Sequence, residues 1–221
     1  MNNYMSNLLF LCERKGISIT EFENIIYIPK VRIMEPTPEE LLRISDFFDL
    51  PIDVLIKKDL TAYHRSNNKE IKLVILDVDG TLTDGGMYFF EDGNQMKKYN
   101  SKDGLAIMAL IKNGIEFGII SHGRKLKMVQ DRADLLGIQR VYVGTDSKVQ
   151  VLEGWLKEMN ITKDQVAFVG DDKNDLEIIN YVGFSACPSD ALPEVKSACD
   201  VILEKAGGRG CVREFIDNWL N

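Results

Sequence analysis

Ile71-Lys72-Leu73-Val74-Ile75-Leu76-Asp77-Val78-Asp79-Gly80-Thr81 decides how the rest of the chain reads. A short apolar, β-branched run of this length is a buried strand, and it stops at two carboxylates, a glycine and a hydroxyl. Two carboxylates at the end of a buried strand repel each other and lose solvation, so the pair needs a compensating cation or proton. An Asx-type turn ending the strand would need only one of them.

Downstream, short apolar runs alternate with amphipathic segments. The runs 71–76, 116–120, 140–143, 165–169 and 184–187 read as strands, and 104–112, 125–136, 148–159 and 173–182 as helices between them. Alternation of this kind implies right-handed crossovers and a Rossmann-like, doubly wound, mostly parallel sheet covered on both faces. Ligands of such sheets bind beyond the carboxyl ends of the strands. The second run is followed by Ser121-His122-Gly123-Arg124-Lys125, a hydroxyl with backbone N–H groups that would suit a phosphate or serve as an N-cap. Gly144-Thr145-Asp146-Ser147-Lys148 follows the third and puts a cation in the first turn of a helix, where the dipole disfavours it unless it faces an anion. Gly170-Asp171-Asp172-Lys173-Asn174-Asp175 follows the fourth. So many carboxylates at one sheet edge suggest a hard divalent cation with oxygen ligands, magnesium being the simplest choice.

The order Asp77-x-Asp79-Gly80-Thr81, Ser121, Lys148, Gly170-Asp171-Asp172 resembles the four motifs of the haloacid dehalogenase superfamily, across residues 71–221. Asp84-Gly85-Gly86, Asn100-Ser101-Lys102-Asp103-Gly104, Gly123-Arg124-Lys125, Asp131-Arg132 and Ala206-Gly207-Gly208-Arg209-Gly210 resemble its capless subfamily, typified by 3-deoxy-D-manno-octulosonate 8-phosphate phosphatase. The resemblance implies a magnesium-dependent phosphatase in lipopolysaccharide biosynthesis. Asp77 would be the nucleophile forming an aspartyl-phosphate, Asp79 the general acid and base, and Ser121 and Lys148 the holders of the transferring group. Magnesium would be bound by Asp77, the backbone carbonyl of Asp79 and Asp171, with Asp172 and Asp175 behind it. Substrate contacts would come from Asp79, Asn100, Ser101, Lys102, Asp103, Gly104, Arg124, Arg132, Lys148 and Arg209, the arginines suiting a sugar carboxylate. Residues 86–99 alternate around Glu91-Asp92-Gly93-Asn94 as a hairpin does. The resemblance makes this hairpin a flap through which four subunits pack, and brings the 207–210 run to a neighbouring site. A plain glycine-rich connector into the last helix is the other reading of that run. Two positions depart from the pattern: Met108 stands where relatives often carry a basic residue, and His122 is an extra residue between Ser121 and Gly123.

Residues 1–62 have a different grammar, with short helices and no strand core. Leu8, Leu9, Leu11 and Cys12 supply an apolar face, and Ser18-Ile19-Thr20-Glu21 and Thr37-Pro38-Glu39-Glu40 are helix starts. The layout resembles a helix-turn-helix module of the lambda-repressor type. At the recognition helix, however, stands Tyr27-Ile28-Pro29-Lys30-Val31-Arg32-Ile33-Met34, broken by proline and β-branched. Seven Lys and Arg against ten Asp and Glu in residues 1–62 give a net charge of −3, which argues against DNA and for docking or oligomerisation. A polar run at 63–70 that includes His64 reads as a linker.

The composition narrows the chemistry further. The 221 residues carry a net charge of −7 and 45% hydrophobic residues, as a water-soluble globular chain does. No run approaches the roughly 20 apolar residues of a membrane span, and no secretory leader pattern opens the sequence, which places the protein in the cytoplasm. Cys12, Cys187, Cys199 and Cys211 form no CxxC and read as free thiols, and two histidines are too few for a histidine-rich metal site. Three other functions compete. One is a phosphatase of nine-carbon, sialic-acid-like sugar 9-phosphates. Another is a DNA-binding regulator with a sugar-phosphate-sensing domain. The third is a receiver-like phosphoacceptor, which would leave Asp79 and the flap without a role.

Overall fold

The computed structural model describes residues 3–57, 60, 70–123 and 126–220. Apart from Glu70, the expected linker, including His64, lies outside the described residues. The chain forms two compact units, Met1–Arg65 and Ser66–Asn221. No helix among the described residues is long and apolar enough to cross a membrane.

The first unit contains α1 (Asn3–Arg14), α2 (Ile19–Ile26), α3 (Lys30–Met34), α4 (Pro38–Phe48) and α5 (Ile52–Lys57). Both expected helix starts are capping boxes. Ser18 Oγ accepts from Glu21 N at 3.1 Å while Ser18 N donates to the Glu21 carboxylate at 2.7 Å, and Thr37 and Glu40 repeat the pattern. Leu8, Phe22, Ile33, Ile44 and Leu55 are fully buried at the centre. Leu9 does not join them: α1 buries Leu8, Leu11 and Cys12 on one stripe and turns Leu9 to solvent. Pro29 does not interrupt a helix but stands at the N-cap of α3, which runs for five residues.

The second unit is built on a six-stranded parallel sheet in the order β5-β4-β1-β6-β7-β8. Its strands are β1 (Leu73–Leu76), β4 (Glu116–His122), β5 (Arg140–Gly144), β6 (Val166–Val169), β7 (Phe184–Cys187) and β8 (Val201–Ile202). All four residues of β1, β6 and β7 are buried, as befits strands covered on both faces. On one face, Leu73, Ile75 and Phe168 pack with Leu152 and Leu156 of helix Lys148–Met159 and with Ile178 and Ile179 of helix Leu176–Tyr181. Each fully buried side chain of this size contributes about 1.5–3 kcal/mol. Helices Ser101–Lys112 and Cys211–Trp219 pack against each other, and Phe215 stacks on Phe184 with ring centroids 5.8 Å apart. The four cysteines are free thiols.

The ends of the elements differ from the expectation in ways that matter for the site. Strand β4 continues through Ser121 and His122, paired with Val143 and Gly144, so Ser121 is a strand residue and not an N-cap. The segment expected as one helix from 173 to 182 begins as a single 3₁₀ turn, Lys173–Asp175, before helix Leu176–Tyr181. Strand β1 is flanked by β4 on one side and β6 on the other, so the crevice beyond Leu76 is the topological switch point of the sheet. The hairpin β2 (Tyr88–Phe89) and β3 (Gln95–Met96) projects from the loop after β1.

Asp103 locks the C-terminal helix to this unit. Its Oδ1 accepts from Arg213 N at 2.7 Å, capping the first turn of helix Cys211–Trp219, which has no side-chain cap of its own. Asp103→Ala is expected to cost about 1–2 kcal/mol of stability, the range for a lost helix cap, and Asp103→Asn much less, because the amide oxygen keeps the bond. Denaturant unfolding followed by tryptophan fluorescence reads this unit alone, since Trp155 and Trp219 are the only tryptophans of the chain. Equal loss from both substitutions would refute the cap.

Candidate active site

Asp77 is the first residue after β1. Its N–H donates to Val169 O at 3.0 Å, extending the β1–β6 pairing by one residue, and its carboxylate is buried at the crevice. The chain then turns sharply, with Gly80 at φ +90° and Thr83 N donating to Val78 O at 2.9 Å. A Cβ on Gly80 would lie 2.0 Å from Asp171 Oδ2, so only glycine lets the carboxylate at the end of β6 approach this backbone. Thr81 Oγ1 donates to Asp171 Oδ1 at 3.3 Å.

Lys148 opens helix Lys148–Met159, held there by Ser147, whose Oγ accepts from Val149 N and Gln150 N. Its ammonium is almost fully buried and donates to Asp77 Oδ1 at 2.6 Å and to Asp175 Oδ1 at 2.5 Å. The lysine thus faces anions, which offsets the unfavourable helix dipole. Burial pulls its pKa down, but the Asp77 and Asp175 carboxylates outweigh burial and hold it above the usual lysine range. Asp175 uses both oxygens: Oδ1 takes Lys148, and Oδ2 accepts from Asp171 N at 2.9 Å and Asp172 N at 3.2 Å.

Asp77, Asp171 and Asp175 bring carboxylate oxygens within 4.8 Å of one another, close enough to share a metal ion. Asp175 is already fully engaged, so Asp77 and Asp171 are the carboxylates free to take a cation. Their protonation points the same way. Burial pushes Asp77 up to about 8, against the pull of Lys148, with the neighbouring Asp175 and Asp171 charges adding to the rise. Burial and Asp175 likewise push Asp171 up to about 7. Such carboxyls give up their protons readily only when a cation arrives.

The other expected site residues fall into three groups. Asp79 and Ser121 line one cleft beside this cluster, with Lys97, His122, Gly123 and Met87. Around the start of helix Ser101–Lys112, Asn100 Nδ2 donates to Gly208 O at 3.2 Å, Arg132 Nη2 donates to Asn100 O at 3.3 Å, and Gly104 leaves room for the guanidinium. Asp103 and Gly104 are buried behind Ser101 and Lys102, which are exposed. Asp172 is exposed and caps the 3₁₀ turn, Arg209 is exposed, Met108 is part of the exposed surface, and Arg124 lies outside the described residues. Gly207 and Gly208 pack on the backbone of the Asp77 loop: a Cβ on Gly207 would lie 1.8 Å from Gly80 O, and Gly208 N donates to Thr81 O at 2.9 Å. The glycine run is therefore a connector into the last helix that also backs the site.

Two further side chains belong here, of which only His122 was noted in the sequence. Lys97, just past β3, donates to the Asp79 carboxylate. Gln95, Lys97 and Tyr99 are half-buried while Met96 and Lys98 are exposed, an alternation that the hydropathy of these residues does not reveal, since it turns Met96 outward and Lys97 inward. His122, the extra residue after Ser121, joins three strand ends: Asn174 Nδ2 donates to its Nδ1 at 2.9 Å, and its Nε2 lies 3.2 Å from Asp146 O. A carbonyl only accepts, so this arrangement requires the Nε2–H tautomer.

Residues 140–216 match the haloacid dehalogenase-like hydrolase family. The chain is 40% identical over 149 residues to the 3-deoxy-D-manno-octulosonate 8-phosphate phosphatase KdsC of Escherichia coli K12, covering 67% of this chain and 79% of that one. It is similar to the crystal structure of 3-deoxy-D-manno-octulosonate 8-phosphate phosphatase from Moraxella catarrhalis in complex with magnesium ion, phosphate ion and KDO. That match has a TM-score of 0.68 and 36% identity over 72% of this chain and 90% of the other. The cobalt-bound deoxy-D-mannose-octulosonate 8-phosphate phosphatase of Haemophilus influenzae matches with a TM-score of 0.65 and 36% identity, covering 68% and 88%.

Asp77 and Asp171 bind protons more tightly in the folded chain than in the unfolded one, where aspartates titrate near 4. Their contribution to stability therefore falls as pH rises from about 4 through about 8, and a cation on the ionised pair offsets the loss. The metal-free protein is expected to melt at a lower temperature at about pH 8.5 than at about pH 6, and magnesium to raise the midpoint more at the higher pH. A magnesium shift independent of pH would contradict this assignment.

Proposed function

Because this chain belongs to the family of 3-deoxy-D-manno-octulosonate 8-phosphate phosphatases among the haloacid dehalogenase-like hydrolases, we propose that it hydrolyses 3-deoxy-D-manno-octulosonate 8-phosphate through an aspartyl-phosphate on Asp77. The observation that carries this reading is the state of the Asp77 carboxylate. Oδ1 is held by Lys148, while Oδ2 takes no hydrogen bond from any described residue and is left to attack phosphorus. The Lys148 ammonium has three donors and spends two on Asp77 and Asp175, so the third remains for a phosphoryl oxygen. Ser121, a buried residue lining the cleft, holds another. Asp79 gives a proton to the leaving sugar oxygen and takes one from the water that attacks next. Magnesium fits Asp77, Asp171 and the backbone carbonyl of Asp79, and when bound it supplies charge neutralisation between carboxylate and phosphate.

The sugar side is assigned to Asn100, Ser101, Lys102, Arg124, Arg132 and Arg209, whose cations suit a carboxylate, with Asp103 and Gly104 supporting them from behind. An assembly of four subunits through the flap is supported by the hairpin itself. Met87, Tyr88, Phe89, Phe90 and Met96 are each about half exposed or more, an apolar surface that a lone two-stranded hairpin does not keep in water. The first unit is assigned to docking on protein. Around α3, Tyr27, Val31 and Met34 are exposed while Arg32 is paired with Glu40 at 3.0 Å, leaving little free charge for phosphates.

Steady-state kinetics on eight- and nine-carbon sugar phosphates, with and without magnesium, test the substrate, and light scattering on the same sample tests the tetramer. The eight-carbon ester is expected to have the highest kcat/KM, and activity to vanish with chelator. Asp77→Asn is expected to lose at least about 10³-fold in kcat with the fold intact. Preference for a nine-carbon ester would move the substrate within the same chemistry, whereas an active Asp77→Asn enzyme would end the reading altogether.

A further inference from the structure

Asp79 holds its two carboxylate oxygens in different surroundings. Oδ1 is approached by Lys97 Nζ and, at 3.5 Å, by Thr83 Oγ1, whereas Oδ2 accepts from no described residue. The threonine hydroxyl has one proton, and its 3.1 Å bond to Val78 O is the shorter. Lys97 is therefore the principal donor to Asp79. Its side chain is only 10% exposed, against 56% for its neighbour Lys98. A lysine gives up that much hydration only when a partner replaces it. Lys97 is carried by the flap, one residue beyond β3, and it lines the same cleft as Asp79 and Ser121.

We propose that Lys97 is a positioning residue for the acid–base step: the flap delivers its ammonium to Asp79 Oδ1 and thereby aims Oδ2 at the leaving oxygen. This rests on the phosphatase reading above. In the first half-reaction Asp77 Oδ2 bonds to phosphorus, the bond from phosphorus to the sugar oxygen breaks, and the proton on Asp79 Oδ2 goes to that oxygen. In the second, water bonds to phosphorus, the bond from phosphorus to Asp77 breaks, and a water proton returns to Asp79 Oδ2. Lys97 neither gains nor loses a proton in either half. Its position gives the flap a part in the chemistry besides covering the site: an enzyme with an open flap has a freely rotating Asp79.

The leaving group separates this role from a merely structural one. An alkoxide leaves slowly without a proton, while p-nitrophenolate leaves readily without one. With the full-length, magnesium-loaded enzyme, Lys97→Met is expected to slow first-turnover release of the sugar from 3-deoxy-D-manno-octulosonate 8-phosphate by about 10²-fold, and the p-nitrophenolate burst from p-nitrophenyl phosphate by less than about threefold. Lys97→Arg, which keeps the cation, is expected to recover most of the lost rate on the sugar ester. Equal losses on both esters, no loss on either, or no recovery with arginine would overturn the proposal. Failure of the unmutated enzyme to turn over either ester would instead overturn the phosphatase reading, and this inference with it.

Discussion

The buried ammonium of Lys148 is the constraint around which the second unit is arranged. It sits between Asp77 and Asp175 with almost no exposure, and removing it would leave two carboxylates facing each other in the interior with no cation between them. Buried ion pairs of this kind seldom repay their desolvation as stability, and breaking one costs about 3–5 kcal/mol. What the arrangement supplies is position. Asp175 passes the anchoring on through its other oxygen to the backbone N–H groups of Asp171 and Asp172, so one lysine fixes Asp77 and, at one remove, the loop that carries Asp171. The negative charge in excess at this edge is what a divalent cation and a phosphoryl group come to balance.

Close backbone approach is the other half of the design. Gly80 admits Asp171, and Gly207 and Gly208 lie against the loop that bears Asp79, so segments from the beginning and end of the second unit meet at one place. The last helix is held by Asp103, and Asn100 Nδ2 donates to Gly208 O. Asp103 and Gly104, which read in the sequence as substrate contacts, are parts of the frame. His122 adds a bridge of this chain's own between the loops that carry Lys148 and Asp175.

Most of this was legible in the sequence because strand ends are legible. Apolar runs of four to six residues followed by carboxylates, a hydroxyl or a lysine put Asp77, Ser121, Lys148 and Asp171 at one sheet edge. The relation between Asp175 and Lys148 was less so, because it depends on a single 3₁₀ turn that periodicity reads as helix. The two-residue strand β8 is too short for any pattern to show. Lys97 was hidden because a flap of two-residue strands gives its alternation only three informative positions, and its partner lies 18 residues away. Leu9 was misplaced because adjacent leucines point to different faces of a helix, and only packing chooses between them.

The claim on which everything else rests is that phosphorus becomes bonded to Asp77. Quenching the enzyme in acid during turnover and reducing with borohydride converts an acyl phosphate into homoserine at the residue that carried it, which peptide mass spectrometry then locates. Homoserine at position 77 and at no other aspartate is the expected result. Homoserine at Asp79, Asp171 or Asp175, or none at all while the sugar phosphate is being consumed, would contradict it.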